Sequence, residues 1–409
     1  MKRSDNALYI FLSIFSVFLL INKYMKYGIV ILFLMLGLNM VQRNAFTIKK
    51  NGLLTVFVLV GVCVCVNCAS SIVSNYSSYF SISVAIKEVC RCIIYAIILE
   101  ILLLIEIDVD IYKQIWKTIL TVVVVIAVLQ YIKIFDIDII LKSIYGDSVQ
   151  FLNTQYSDLS SFRCGSIFVN PNVFACFLVA FLGNYFYVMS NGRETIVSKV
   201  VTLALCIIGL VLSGSRTGLV LGLVLVIVYT ILIAEYNLRY ILKNLIIIGG
   251  FICGVLLILK LFFDIDMSTL ATFRMFQVKG GLDDSFGIKI GIYTNLLKEG
   301  SALNCLIGYG PFDYASSIDL LVDFDFGYFT TFFGCLGLFL YIGLLGAILN
   351  FNVKQDASRK LRNIMFFVIT VIFGITAGVY FNMRIFAIYM AMFLPNLKFN
   401  KNNFDAVRM

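Results

Sequence analysis

From Ala7 to Pro395 the chain is a succession of apolar runs, each about 15–25 residues long, separated by short polar breaks. An amphipathic helix of a soluble core keeps a polar face, and runs such as Leu219 to Ala234 have none. With 61% hydrophobic and only 13% charged residues, a soluble fold of 409 residues would lack polar surface to cover itself. Mean hydropathy of +0.98 agrees. The runs are continuous rather than alternating and the chain has only three prolines, which favours helices over a membrane barrel. The expectation is an all-α integral membrane protein, a polytopic bundle of about 12 transmembrane helices forming a single membrane domain over 1–409.

The expected spans are 7–22, 28–42, 52–69, 90–107, 115–133, 170–189, 199–213, 217–234, 244–263, 328–350, 362–381 and 384–397. Met1 to Asn6 is charged, but Ala7 to Ile21 has no small-residue cleavage site and leads into further spans, so it reads as an uncleaved anchor. With both termini in the cytoplasm, the short inside loops collect Arg43, Lys49, Lys50, Lys113, Lys117, Arg193, Lys199, Arg239, Lys243, Lys354, Arg359, Lys360 and Arg362. The short outside connections carry Lys23, Lys26, Arg216 and Arg384, an asymmetry that satisfies the positive-inside rule. The net charge of +9 reflects this one-sided placement and implies no nucleic-acid partner.

Two long connections fall outside, 134–169 and 264–327. Long insertions in a compact protein are usually functional. In the larger one, Asp284-Ser285 can cap a short amphipathic helix through Phe286, Ile290, Tyr293 and Leu297, with Lys298 in its last turn and Gly300 past its end.

The chain has no histidine, which removes the commonest general base and metal ligand. Its 11 cysteines lie mostly within apolar runs and read as small hydrophobes. Cys63, Cys65 and Cys68 lack metal-knuckle spacing, so no metal is expected. Cys164 and Cys305 fall in the two outside connections, where they either pair or remain free thiols.

Five arginines lie outside or at the outer membrane edge: Arg91, Arg163, Arg216, Arg274 and Arg384. Arg216 sits in Ser213-Gly214-Ser215-Arg216-Thr217-Gly218, a polar break between two spans. A guanidinium stays charged there and offers a rigid donor fork suited to phosphate. Arg163 opens Arg163-Cys164-Gly165, shortly before Asn170-Pro171-Asn172, which reads as a capped helix start. Helix starts beside guanidiniums favour an anion. Arg91 and Arg384 read as span-end anchors to lipid phosphate. Of the outside carboxylates, Asp264, Asp266, Asp283, Asp284, Asp313 and Asp325 read as solvated loop residues, whereas Asp319 and Asp323 share one helix face at i, i+4 and are candidates for a general base. Glu100 lies inside a span and must face the bundle interior or a partner.

The Arg163-Cys164-Gly165 and Asn170-Pro171-Asn172 blocks, the Ser213–Gly218 motif, and Gly308-Tyr309-Gly310-Pro311 late in the larger connection resemble, in that order, the O-antigen and capsule repeat-unit polymerases of the Wzy type, relatives of the O-antigen ligases. The resemblance implies a metal-independent glycosyltransferase without cofactor, at the outer face of the bacterial cytoplasmic membrane. Its substrates would be oligosaccharides on undecaprenyl diphosphate, and a chain-length regulator and a flippase its partners. On this likeness Arg163 and Arg216 grip the donor diphosphate and Arg274 assists. Gly165, Asn170, Asn172, Ser213, Ser215, Gly308 and Gly310 shape the site, and Asp319, then Asp323, is the base. The ligases use a histidine in the large external loop, which this chain lacks, so polymerase is favoured over ligase. A lipid-linked oligosaccharide flippase is the competing class, but it calls for charges buried mid-span and related halves. A sensor or scaffold would not need paired arginine–glycine motifs.

Overall fold

The computed structural model describes residues 2–21, 24–43, 51–74, 81–134, 137–145, 163–168, 170–189, 195–233, 249–250, 254, 257, 294, 298, 301–311, 324–352, 357–376 and 378–398. In chain order the helices are α1 (Lys2–Ile14), prolonged by a π-helical turn Phe15–Leu19, then α2 (Met25–Arg43), α3 (Gly52–Ser74) and α4 (Ile82–Leu104). After a three-residue strand, β1 (Glu106–Asp108), come α5 (Val109–Ile132), α6 (Ile137–Tyr145) and a 3-10 turn Ser166–Phe168. They are followed by α7 (Pro171–Asn184) with a π-helical turn Tyr185–Met189, α8 (Ile196–Ser213) and α9 (Arg216–Ile233). The remainder is α10 (Ala302–Ile307), α11 (Asp325–Leu349), α12 (Ala357–Thr376), α13 (Met383–Phe393) and the strand β2 (Asn396–Lys398).

The described chain is mainly helical, as the uninterrupted apolar runs require. Met25–Arg43, Gly52–Ser70, Val109–Ile132 and Asp325–Leu349 are long and apolar enough to cross a membrane, and several shorter apolar helices accompany them. α2 leaves Val30, Phe33, Leu34, Leu38 and Val41 exposed, an apolar surface suited to lipid rather than water. The chain is an all-α, membrane-embedded protein.

The chain divides into two compact units, one of Met1–Glu106 with Gly280–Asn396 and one of Ile107–Lys279 with Leu397–Met409. In the first, α4 packs on α2, α3 and α13, and α11 packs on α3, α10 and α12. Its core is aromatic: Tyr95, Tyr328, Phe329, Tyr380 and Phe386 are all buried, and Tyr380 meets each of the other four rings. Glu100 is buried within α4, as its position inside a span required. Arg359 and Arg362, expected as inside-loop charges, are buried on α12. They donate to the carbonyls of Met392, Leu394 and Pro395 at the end of α13. A helix C-terminus leaves carbonyls unpaired and carries the negative dipole end, so two guanidiniums are well placed there.

In the second unit α7 packs against both α8 and α9, and α5 lies against α8. Glycines allow the close approach. A Cβ at Gly218 of α9 would come within 2.6 Å of the Ala175 Cβ on α7, and one at Gly209 of α8 within 2.8 Å of Leu178. The connection 134–169, expected as a loop, contains α6 and the Ser166–Phe168 turn.

Candidate functional site

The break between α8 and α9 is built by its own small residues. α8 ends where Gly214 takes the left-handed conformation at φ 58°, returning its N–H to the Val211 carbonyl. Ser213 Oγ donates to the Leu210 carbonyl (2.7 Å) and accepts from the Ser215 N–H (3.2 Å). Ser215 Oγ accepts from the Gly218 N–H (3.3 Å), as an N-cap of α9. Arg216 is the first residue of α9 and is half-buried. The expected runs 199–213 and 217–234 thus correspond to helices at 196–213 and 216–233.

The Arg163 block reaches this turn directly. The Cys164 N–H donates to the Leu212 carbonyl (2.8 Å), and Arg163 Nε donates to the Ser213 carbonyl (3.1 Å). Arg163 Nη2 donates to Asn172 Oδ1 (2.7 Å). Phe168 N–H closes the following turn on the Gly165 carbonyl (3.0 Å). Asn170 caps α7 as expected, its side chain accepting from the Asn172 N–H (2.8 Å), with Pro171 in the first helical position.

Arg163 therefore sits where α8 ends and α7 begins, and the Ala175–Gly218 contact brings the first turn of α9 alongside. Two helix N-termini, each the positive end of a helix dipole, stand together beside a half-buried guanidinium that also satisfies a C-terminal carbonyl. Such a place attracts an anion. Arg163, Gly165, Asn170, Asn172, Ser213, Ser215 and Arg216 are gathered in one unit.

Gly308 and Gly310 lie in the other unit and have a structural task there. α11 breaks at Gly334 (φ 61°, ψ −142°). Ahead of that break, the carbonyls of Thr331 and Phe332 accept from the N–H groups of Tyr309 (2.8 Å) and Gly310 (3.1 Å). Gly308 is at φ 79°, and a Cβ on it would come within 2.3 Å of the Phe332 backbone, so only glycine fits. Pro311 continues the segment, its carbonyl accepting from the Ser81 N–H (2.9 Å) just ahead of α4.

Arg274, Asp319, Asp323 and most of the expected amphipathic helix from Asp284 lie outside the described residues; within that helix Thr294 and Lys298 are helical and exposed. Neither Cys164 nor Cys305 is in a disulfide.

Two readings of single residues are corrected. Arg91 is not a lipid anchor. It is buried, its Nη1 donating to Glu88 Oε2 (2.7 Å), while the Tyr328 hydroxyl donates to the same carboxylate oxygen. Arg384 donates through Nε to the Val17 carbonyl (2.7 Å), at the π-helical turn, where it satisfies backbone. A third correction concerns Asp325, grouped with the solvated loop carboxylates. It is fully buried and accepts from the N–H groups of Val379, Tyr380 and Phe381 at 2.9–3.2 Å, a nest of amides after Gly378. The signals were Glu88 and Arg91 at i, i+3, and an aspartate opening an aromatic run.

No protein-family model and no curated protein matches this chain.

Proposed function

We propose that this protein is a polysaccharide polymerase of the bacterial cytoplasmic membrane, working from undecaprenyl-diphosphate-linked repeat units at the outer face. What supports this reading is one contact: Arg163 Nε on the Ser213 carbonyl, which joins the two arginine–glycine blocks beside two helix starts. A lipid diphosphate must keep its tail in the bilayer while its head meets cations near the edge. Fixed guanidiniums and helix N-termini suit that head.

In the proposed reaction a hydroxyl at the non-reducing end of the incoming repeat attacks the anomeric carbon of the growing chain. The bond from that carbon to the donor diphosphate breaks, and its electron pair leaves as undecaprenyl diphosphate. Arg163 and Arg216 offset the charge developing on the leaving oxygen, with Arg274 as a third cation. The hydroxyl proton passes to a carboxylate, Asp319 first and Asp323 second. About twelve spans with both termini cytoplasmic put this corner outside, and a chain-length regulator and flippase would be its partners.

Deleting the gene should leave surface glycolipid carrying at most one repeat. An unchanged polymer ladder rules the reading out, and loss of even single repeats points instead to a flippase. In the complemented strain, Arg216→Lys should fail nearly as fully as Arg216→Ala, because a point charge does not replace a planar fork. Full rescue by lysine at normal protein levels would reduce Arg216 to an electrostatic anchor.

A further inference from the structure

The Glu88–Arg91–Tyr328 cluster takes no part in holding a diphosphate, and its donors are not all used. Arg91 directs Nη1 to Glu88 and, at 3.5 Å, to the Tyr328 hydroxyl, while Nε is buried with no hydrogen-bond partner among the described residues. An ion pair retained only for stability gains little over apolar residues of similar volume, and it uses the guanidinium fork most fully when bidentate. Here one donor of the fork, Nε, stays open in a core made largely of aromatic rings. A native orphan of this kind calls for a ligand or a water.

The surroundings narrow the ligand. Glu88 balances the charge of Arg91, so a second anion is not favoured. The guanidinium lies 5.8 Å from the centre of the Tyr328 ring, and the rings of Phe329, Phe332, Tyr380 and Phe381 surround that ring. An open donor, an accepting carboxylate and aromatic faces together suit a neutral, hydroxyl-bearing ring with C–H faces, which is the chemistry of a sugar. Phe381 stacks on Tyr328 and is half-buried, so the cluster lies one side chain below the surface of its unit. The helix carrying Glu88 and Arg91 is tied just ahead of its start to the Gly308–Pro311 block by the Ser81–Pro311 hydrogen bond.

We propose that Glu88, Arg91 and Tyr328 form a subsite for a neutral sugar of the acceptor repeat, covered by Phe381. Assigning that sugar to the acceptor rests on the polymerase reading; the sugar chemistry itself does not. The probe is the strain's own repeat-unit oligosaccharide, released from its lipid by mild acid and titrated onto the full-length protein in detergent. Amide hydrogen exchange over 82–104 reports binding, and initial rates of polymer formation report KM and kcat. Arg91→Lys keeps the ion pair but removes Nε, Tyr328→Phe removes only the hydroxyl, and Phe381→Ala removes the cover.

The expected result is slowed exchange in α4 with the oligosaccharide. Arg91→Lys and Tyr328→Phe should each raise the acceptor KM about tenfold, the scale of one hydrogen bond to a charged group, at unchanged kcat and unchanged pyrophosphate binding. If Arg91→Lys does not fold, Tyr328→Phe and Phe381→Ala carry the same comparison. No slowing of exchange, with the acceptor KM of the folded variants within about twofold of wild type, would mean that Nε meets only water and would overturn the subsite. Slowed exchange without any polymer formation by the wild type would support the sugar site and count against the polymerase.

Discussion

Arg91 and Arg163 show what a membrane-embedded bundle can do with a guanidinium. Arg91 is paired with a carboxylate three residues away on its own helix and is buried with it. Arg163 is half-buried, and among the bonds that orient it are two to neutral oxygens, the amide of Asn172 and the carbonyl of Ser213. A carboxylate fixes a cation and offsets its charge, whereas a neutral acceptor fixes a cation without offsetting it. Position near a span end does not separate the two cases. The chemistry of the partner does.

The largest effect expected from this contrast is at Glu88. Glu88→Leu leaves Arg91 buried without its counter-charge and should cost about 3–5 kcal/mol of stability, read as unfolding in mild detergent. The double variant Glu88→Leu/Arg91→Leu should recover most of that loss. If Glu88→Leu costs under about 1 kcal/mol, the pair is solvated and the contrast fails. Arg163→Leu should cost less, about 1 kcal/mol, because water can replace the lost donor at a half-buried place. Its polymerising activity should nevertheless vanish. A stability loss equal to that of Glu88→Leu would make Arg163 a structural strut instead.

The two settings were unequally legible in the sequence. Around Arg163 and Arg216 the information is local: Asn170 and Pro171 announce a helix start, and Gly214 and Ser215 announce an end and a start within four residues. Around Arg91 it is not. Lys87, Glu88 and Arg91 interrupt the apolar run, so the expected span begins at 90 while α4 begins at Ile82, and the turn carrying Glu88 looks like loop. Tyr328 lies 240 positions from Glu88, a pairing that hydrophobic periodicity does not encode. The Gly308-Tyr309-Gly310 block was visible as a motif, but its task required knowing that Gly334 breaks α11 and frees the carbonyls it covers. Asp325 was hidden for a similar reason, since its partners are backbone amides after Gly378 and carry no side-chain signature.

The smallest stability effect tests the contrast most sharply. Asn172→Asp preserves shape and turns the neutral acceptor of Arg163 into a carboxylate, making the second arginine resemble the first. At a half-buried ion pair the gain is about 0–1 kcal/mol, and an acid in the first turn of α7 also suits the helix dipole, so the variant should be as stable as wild type or slightly more so. Its affinity for inorganic pyrophosphate should fall at least about tenfold, since a like charge at roughly 6 Å with an effective dielectric near 20 opposes the anion by ~3 kcal/mol before screening. Asn172→Ala removes the acceptor without adding charge and should fall between the two in affinity while being the least stable of the three. Stability ranked Asp, Asn, Ala and affinity ranked Asn, Ala, Asp are different orders. A residue that only braces α7 would give the same order in both measurements, so a single shared ranking would remove Arg163 from anion binding.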